Sequence, residues 1–242
     1  MADEFSQNKI ALVYDFDKTL SPKDMQEYGV FGHIGMPAGD FWPQVHHERD
    51  ETGAEELLVY MRKMIQAAHN KGEDFTKDKF HEHGAGIAFF PGVETWFDRV
   101  NQFVTTICPN EEIVVEHYIV SSGLSDMIAG CKIANSFKKI YACEFIYEHG
   151  VPVWPGRLVT DAAKTQYLFR INKGLLDPND KGVNGHMPEF KRRIPFSNLM
   201  YFGDSETDIP SMNVTMKNGG HSVAVYGPEK KITRLILQKC KI

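Results

Sequence analysis

The sequence predicts an α/β fold, a mainly parallel sheet with helices on both faces that carries a helical insertion after its first strand. Three observations predict it. From residue 90 onward, short apolar runs rich in β-branched and aromatic residues alternate with segments of helical period, the pattern of strands joined by crossover helices. Three of the apolar runs stop abruptly at polar residues: the first at Asp15 and Asp17, the next at Ser121, a late one at Asp204 and Asp208. Between the first run and the alternation, residues 21–89 hold glycines, prolines and helical periodicity but no strand signal.

The 242 residues suit an α/β core (1–20 and 90–242) with an inserted helical unit (21–89), long enough to bury a substantial core. A formal charge of −5 gives no electrostatic case for a nucleic-acid partner or an acidic membrane surface. Cys108, Cys131, Cys143 and Cys240 stand apart, with no CxxC pair and no zinc-ligand spacing, and read as core thiols of a reducing compartment. No apolar run approaches a membrane span, and the polar start carries no signal region. A cytoplasmic protein is expected.

Each element follows from local pattern. The run 9–14 is a strand that ends in the acidic stretch Asp15-Phe16-Asp17-Lys18-Thr19-Leu20. Leu57, Leu58, Met61, Met64, Ile65 and Ala68 recur at helical spacing and predict a helix over 54–70. Phe90-Pro91-Gly92 opens the alternation, with a helix over 93–103, a strand over 112–120 and a helix over 125–134. A strand over 140–147 pairs as a hairpin with 151–154 across Glu148-His149-Gly150. A helix over 161–172, a long polar connection over 177–197, strands over 198–202 and 222–226, and a basic amphipathic helix over 229–239 complete the chain.

Ligands of such sheets bind where the strands end. Residues i and i+2 of an extended segment face the same way, so Asp15 and Asp17 start on one side. Like charges held together need a cation or a proton between them. With Asp204 and Asp208 brought to the same edge, three or four carboxylates meet, and an all-oxygen set suits Mg²⁺ better than zinc or copper.

Taken together, DxDxT after the first strand, a strand ending in Ser121, Lys164 at a helix start and Gly203-Asp204-Ser205-Glu206-Thr207-Asp208 resemble the haloacid dehalogenase-like phosphohydrolase superfamily, in its phosphoserine phosphatase-like branch. The resemblance spans residues 9–226 with the motifs in the expected order. It implies a three-layer Rossmannoid core with an inserted helical C1 cap. It further implies that Asp15 is the nucleophile that becomes an aspartyl-phosphate, and that Asp17 is the acid and then the base. Ser121, with the N–H groups of Ser122 and Gly123, would cradle the phosphoryl oxygens, and Lys164 would neutralise nucleophile and phosphate. Mg²⁺ would be held by Asp15, the backbone carbonyl of Asp17 and Asp204, with Asp208 behind it.

The activity so implied is Mg²⁺-dependent hydrolysis of a small cytosolic phosphorylated metabolite, read by the cap. Asp24 falls where an acid would meet a substrate ammonium, and Arg49 is the cap residue to try first as a substrate contact. Trp42, His46, His47, His81 and His83 read as a mixed polar cap surface, lacking the HExxH spacing. Lys18, Ser122 and Thr207 depart from the commonest family pattern without removing a group the chemistry needs. Two alternatives stay open: phosphoryl transfer to an acceptor other than water, as in a phosphomutase, and a catalytically silent phosphate-binding module.

Overall fold

Six strands form one sheet: β1 (Lys9–Tyr14), β2 (Val114–Leu124), β3 (Lys139–Glu148), β4 (Val151–Arg157), β5 (Leu199–Gly203) and β6 (His221–Ala224), in the order β4-β3-β2-β1-β5-β6. A computed structural model of the chain describes residues 7–227. All pairs are parallel except the β3–β4 hairpin. β1 lies between β2 and β5, covered on both faces, which is why its apolar run is continuous rather than alternating. The chain builds β2 and β3 on one side of β1 and β5 and β6 on the other. That reversal leaves a crevice beyond the carboxyl end of β1.

Among the described residues the insertion is wholly helical: a 3-10 turn (Met25–Tyr28), then α1 (Val30–Ile34), α2 (Ala38–Thr52), α3 (Glu56–Lys71) and α4 (Lys77–Ala85). α5 (Trp96–Ile107), α6 (Ser125–Gly130), α7 (Lys164–Lys173) and α8 (Ile209–Lys217) flank the sheet. Val59, Met61, Met64 and Ala68 of α3 are buried with Phe41, Val45, Phe75 and Phe80 in one cluster that runs into the sheet core. α4 packs closely on α6. A Cβ on Gly84 would lie 2.1 Å from the Met127 carbonyl, and one on Gly130 would lie 2.3 Å from the His81 carbonyl.

The boundaries differ from the sequence expectation in ways that have causes. α5 starts at Trp96 rather than 93, because Gly92 adopts φ +87° and the chain turns once more through Phe90–Val93 before the helix begins. β2 runs on to Leu124, with its register against β3 shifting after Val120, so Ser121 and Ser122 belong to the strand end itself. The connection over 177–197 is a series of 3-10 turns, pinned by Arg170 on the carbonyls of Asp177 and Asp180 and by Asn172 on that of Ile194. The helix expected over 229–239, and Cys240, lie outside the described residues.

Candidate active site

The Asp15 N–H donates to the Phe202 carbonyl at 2.9 Å, so the β1–β5 ladder itself sets the position of the first acid after the strand. Its carboxylate lies 3.1 Å from the Lys164 ammonium, which is only 1 % exposed at the first turn of α7. Lys164 Nζ donates in turn to Asp208 Oδ1 at 2.8 Å, and the Tyr201 hydroxyl donates to the same oxygen at 2.8 Å. Asp208 Oδ2 accepts from the backbone N–H groups of Asp204 and Ser205 at 3.2 and 3.3 Å and from the Ser205 hydroxyl. One wholly buried carboxylate therefore holds the lysine with one oxygen and folds the 204–208 loop with the other.

Gly203 makes that arrangement possible. A Cβ there would lie 2.5 Å from Asp208 Cγ. Gly203→Ala is expected to cost about 1–3 kcal/mol in urea unfolding, because Asp208 is hydrogen-bonded on both oxygens and has nowhere to retreat.

Asp17 Oδ1 accepts from the Met25 N–H at 2.9 Å, which ties the second acid to the first turn of the insertion. Gly123 faces this pair, and a Cβ on it would meet Met25 Cε at 2.1 Å and Asp17 Oδ2 at 3.4 Å. The Ser121 hydroxyl is buried and accepts from the Gly123 N–H. Ser122 turns its hydroxyl to the Val159 carbonyl at 2.7 Å, which leaves its backbone rather than its side chain for a ligand. Lys18 sits in the left-handed region at φ 61° and reaches Asp24 at 2.7 Å. Asp24 lines the cleft, but already paired.

These residues surround a cleft of about 580 Å³. Arg49 does not line it. It sits at a neighbouring cavity with Gly53 and Asp161, its guanidinium tied to Asp50 and Glu56. His81 and His83 are likewise elsewhere, on α4. The insertion instead presents Gln26, Trp42, His46, Glu56, Leu57 and Tyr60. Of these, Gln26, Glu56 and Tyr60 are not marked as site residues by the sequence pattern. The i, i+4 spacing of Glu56 and Tyr60 was the one available signal.

Burial pushes the Asp15 carboxyl up to about 7, with Lys164 opposing the rise and Asp208 adding to it. Asp17 is held well above the usual carboxylate range by loss of hydration and by the charges of Asp15 and Asp24. Burial works against the charge of Lys164, yet Asp15 and Asp208 together hold it protonated. The cluster thus has more carboxylates than lysines and favours a proton or a further cation. Oxygens of Asp15, Asp204 and Asp208 lie within 4.8 Å of one another, a donor set fitted to a hard divalent ion. Asp208 is engaged on both oxygens, by Lys164 and Tyr201 on one and by the 204–205 backbone on the other.

The chain resembles known proteins in sequence and in fold. An uncharacterized protein of Borreliella burgdorferi is 29 % identical over 260 residues, covering 96 % of this chain and 88 % of the relative. A substrate-bound phosphoserine phosphatase shares the fold at TM-score 0.59 and 17 % identity, over 97 % of this chain and 91 % of its own. A phospho-aspartyl intermediate analogue of phosphoserine phosphatase matches at TM-score 0.51 and 16 % identity, over 95 % of this chain and 98 % of its own. The family model for haloacid dehalogenase-like hydrolases matches residues 12–213, which hold the acids after β1, Ser121, Lys164 and the 204–208 loop. The chain belongs to the haloacid dehalogenase-like hydrolases.

Proposed function

We propose that the protein is a Mg²⁺-dependent phosphomonoester hydrolase that acts on a small cytosolic phosphorylated metabolite through an aspartyl-phosphate. The observation that carries the reading is the buried chain Asp15–Lys164–Asp208 at the carboxyl end of β1, with Asp17 beside it. An Asp15 oxygen attacks phosphorus, the ester P–O bond breaks, and the leaving alkoxide takes a proton from Asp17, whose raised affinity keeps that proton available. Asp17 then takes a proton from water, the water oxygen bonds to phosphorus, and inorganic phosphate leaves as the Asp15 carboxylate is restored. Ser121, the Ser122 N–H and Lys164 bind the equatorial oxygens, and the Gly123 N–H, which donates to the Ser121 hydroxyl, orients that hydroxyl toward them. Mg²⁺, held by Asp15, the Asp17 carbonyl and Asp204, would supply charge neutralisation on the phosphoryl group.

The helical insertion over 21–89 acts as a cap that closes the cleft against water and large phosphoproteins. A substrate-bound phosphoserine phosphatase and a phospho-aspartyl analogue of that enzyme share the fold, which supports both the reaction class and the intermediate. The described thiols Cys108, Cys131 and Cys143 are unpaired, in keeping with a reducing compartment, and no helix among the described residues is long and apolar enough to cross a membrane.

The test is phosphate release from a panel of small phosphomonoesters with Mg²⁺, then after chelation. Chelation is expected to lower the rate by at least about 10²-fold, with recovery when Mg²⁺ is returned. Release indifferent to the metal, or phosphate passed to an acceptor with none set free, would overturn the reading.

A further inference from the structure

One residue of the insertion stands between the second acid and the end of β2. Met25 is wholly buried at the start of the 3-10 turn that opens the insertion. Its N–H donates to Asp17 Oδ1 at 2.9 Å, and its thioether sulfur accepts from the Leu124 N–H at 3.0 Å. Its methyl carbon fills the place that a side chain at 123 would take, 2.1 Å from a Cβ on Gly123. Gly123 does not adopt a positive φ, so what requires a glycine there is the room that Met25 occupies and not the backbone conformation.

The segment that carries the acid is tied to the same turn a second time. Lys18, next to Asp17, pairs at 2.7 Å with Asp24, next to Met25. Together with the Asp17–Met25 bond this closes residues 17–25 into a loop cross-linked at its two ends, so the place of the acid depends on the first turn of the insertion. The two carboxyl oxygens of Asp17 are thereby made unlike. Oδ1 accepts an N–H and is the oxygen that stays without a proton. Oδ2 is left to carry one, on the side of the Ser121–Gly123 segment, 3.4 Å from where a Cβ on Gly123 would lie.

We infer, resting on the phosphomonoesterase reading, that Met25 is a positioning residue for the acid: lodged between Asp17 and the 123–124 backbone, it turns the proton-bearing Oδ2 toward the leaving oxygen. As the ester P–O bond breaks, its electron pair stays on the leaving oxygen, the Oδ2 proton passes to that oxygen, and Asp17 becomes a carboxylate. Met25 touches neither substrate nor phosphorus in this step; it acts through Asp17. Seating the first turn of the insertion on the 123–124 backbone therefore puts the acid in register with the phosphate.

The test compares leaving groups. p-Nitrophenolate departs without a proton and an alkoxide needs one, so a misplaced acid slows loss of the alkoxide and spares loss of the aryl group. The quantity measured is kcat/KM, which covers the steps up to that departure and is blind to the later attack of water. Wild type, Met25→Ala and Met25→Leu are assayed with Mg²⁺ on p-nitrophenyl phosphate and on the alkyl phosphomonoester that the wild type hydrolyses fastest. Met25→Ala is expected to lower kcat/KM on the alkyl ester by at least about tenfold more than on the aryl ester. Met25→Leu keeps most of the apolar volume and should fall between it and the wild type, and it decides the matter if the alanine variant does not fold. Met64→Ala, at a buried methionine of α3, is expected to lower stability and leave the alkyl-to-aryl ratio unmoved. A ratio unmoved in the Met25 variants, whether or not their rates fall, would assign Met25 to the fold alone and overturn this inference while the phosphatase reading stands. No release from either ester by the wild type would overturn the phosphatase reading and this inference together.

Discussion

Asp15→Asn is expected to lower phosphate release by at least about 10³-fold while leaving the protein folded, because it removes the attacking oxygen and its charge but keeps the side chain's shape. The residue is buried at the end of β1, and asparagine matches its shape. Its backbone N–H still donates to Phe202, and Lys164 keeps Asp208 as its partner. The same substitution has a second consequence, on stability without metal. Burial raises the Asp15 carboxyl from 3.8 to about 7, so the folded chain binds the proton more tightly than the unfolded one. A raised carboxyl contributes stability that is fully present below about pH 4 and is lost as pH climbs through about 7. Unfolding of the metal-free wild type and the variant should therefore give a stability difference that moves against the wild type across that window and levels off above it. Mg²⁺ should shift it back, since a bound cation does for Asp15 what the proton did. A variant that hydrolyses phosphoesters at near wild-type rates would remove Asp15 from the mechanism. A flat difference across the window would mean that the carboxylate is better solvated than its burial indicates.

What could be read from the sequence follows from the geometry of parallel sheets. A strand buried on both faces is a continuous apolar run, and such a run ends where the site begins, so Asp15, Asp17, Ser121, Asp204 and Asp208 declared themselves by position. Lys164 needed the family pattern as well, since one lysine at a helix start looks like any other. The cleft wall was harder. α3 buries Val59, Tyr60, Met61, Met64 and Ala68, and helical period marks this apolar stripe without saying which neighbour each residue meets. Tyr60 belongs to both the core and the cleft, and Glu56 sits one turn before it. Arg49 shows the converse: a cation in the insertion looked free in sequence, but Asp50 is adjacent and Glu56 comes round on the next helix, so its charge is spent locally. The turns over 177–197 have no period at all. Their places are set by distant partners, as Arg193 is by Glu116 on β2.

Lys164→Met should produce the largest loss of stability of any single change at the site, about 3–5 kcal/mol near neutral pH. Methionine fills a similar volume, so the cost is electrostatic rather than a cavity. It leaves Asp15 and Asp208 buried with no cation between them; Tyr201 and the 204–205 N–H groups still solvate Asp208, whereas Asp15 keeps the Phe16 N–H. The loss should shrink as pH falls toward 5, because a protonated Asp15 no longer needs the lysine. Saturating Mg²⁺ should restore part of it. Activity should fall by at least about 10²-fold even where the fold is rescued, since the phosphoryl oxygens lose a charged donor. A double-mutant cycle with Asp15→Asn separates the two roles. If Lys164 and Asp15 are coupled as their 3.1 Å contact implies, the double variant is more stable than Lys164→Met alone, an ordering that unrelated damage to α7 would not produce. Equal or lower stability of the double variant would place the lysine's contribution in its bond to Asp208, and leave Asp15 held at the end of β1 by the strand ladder alone.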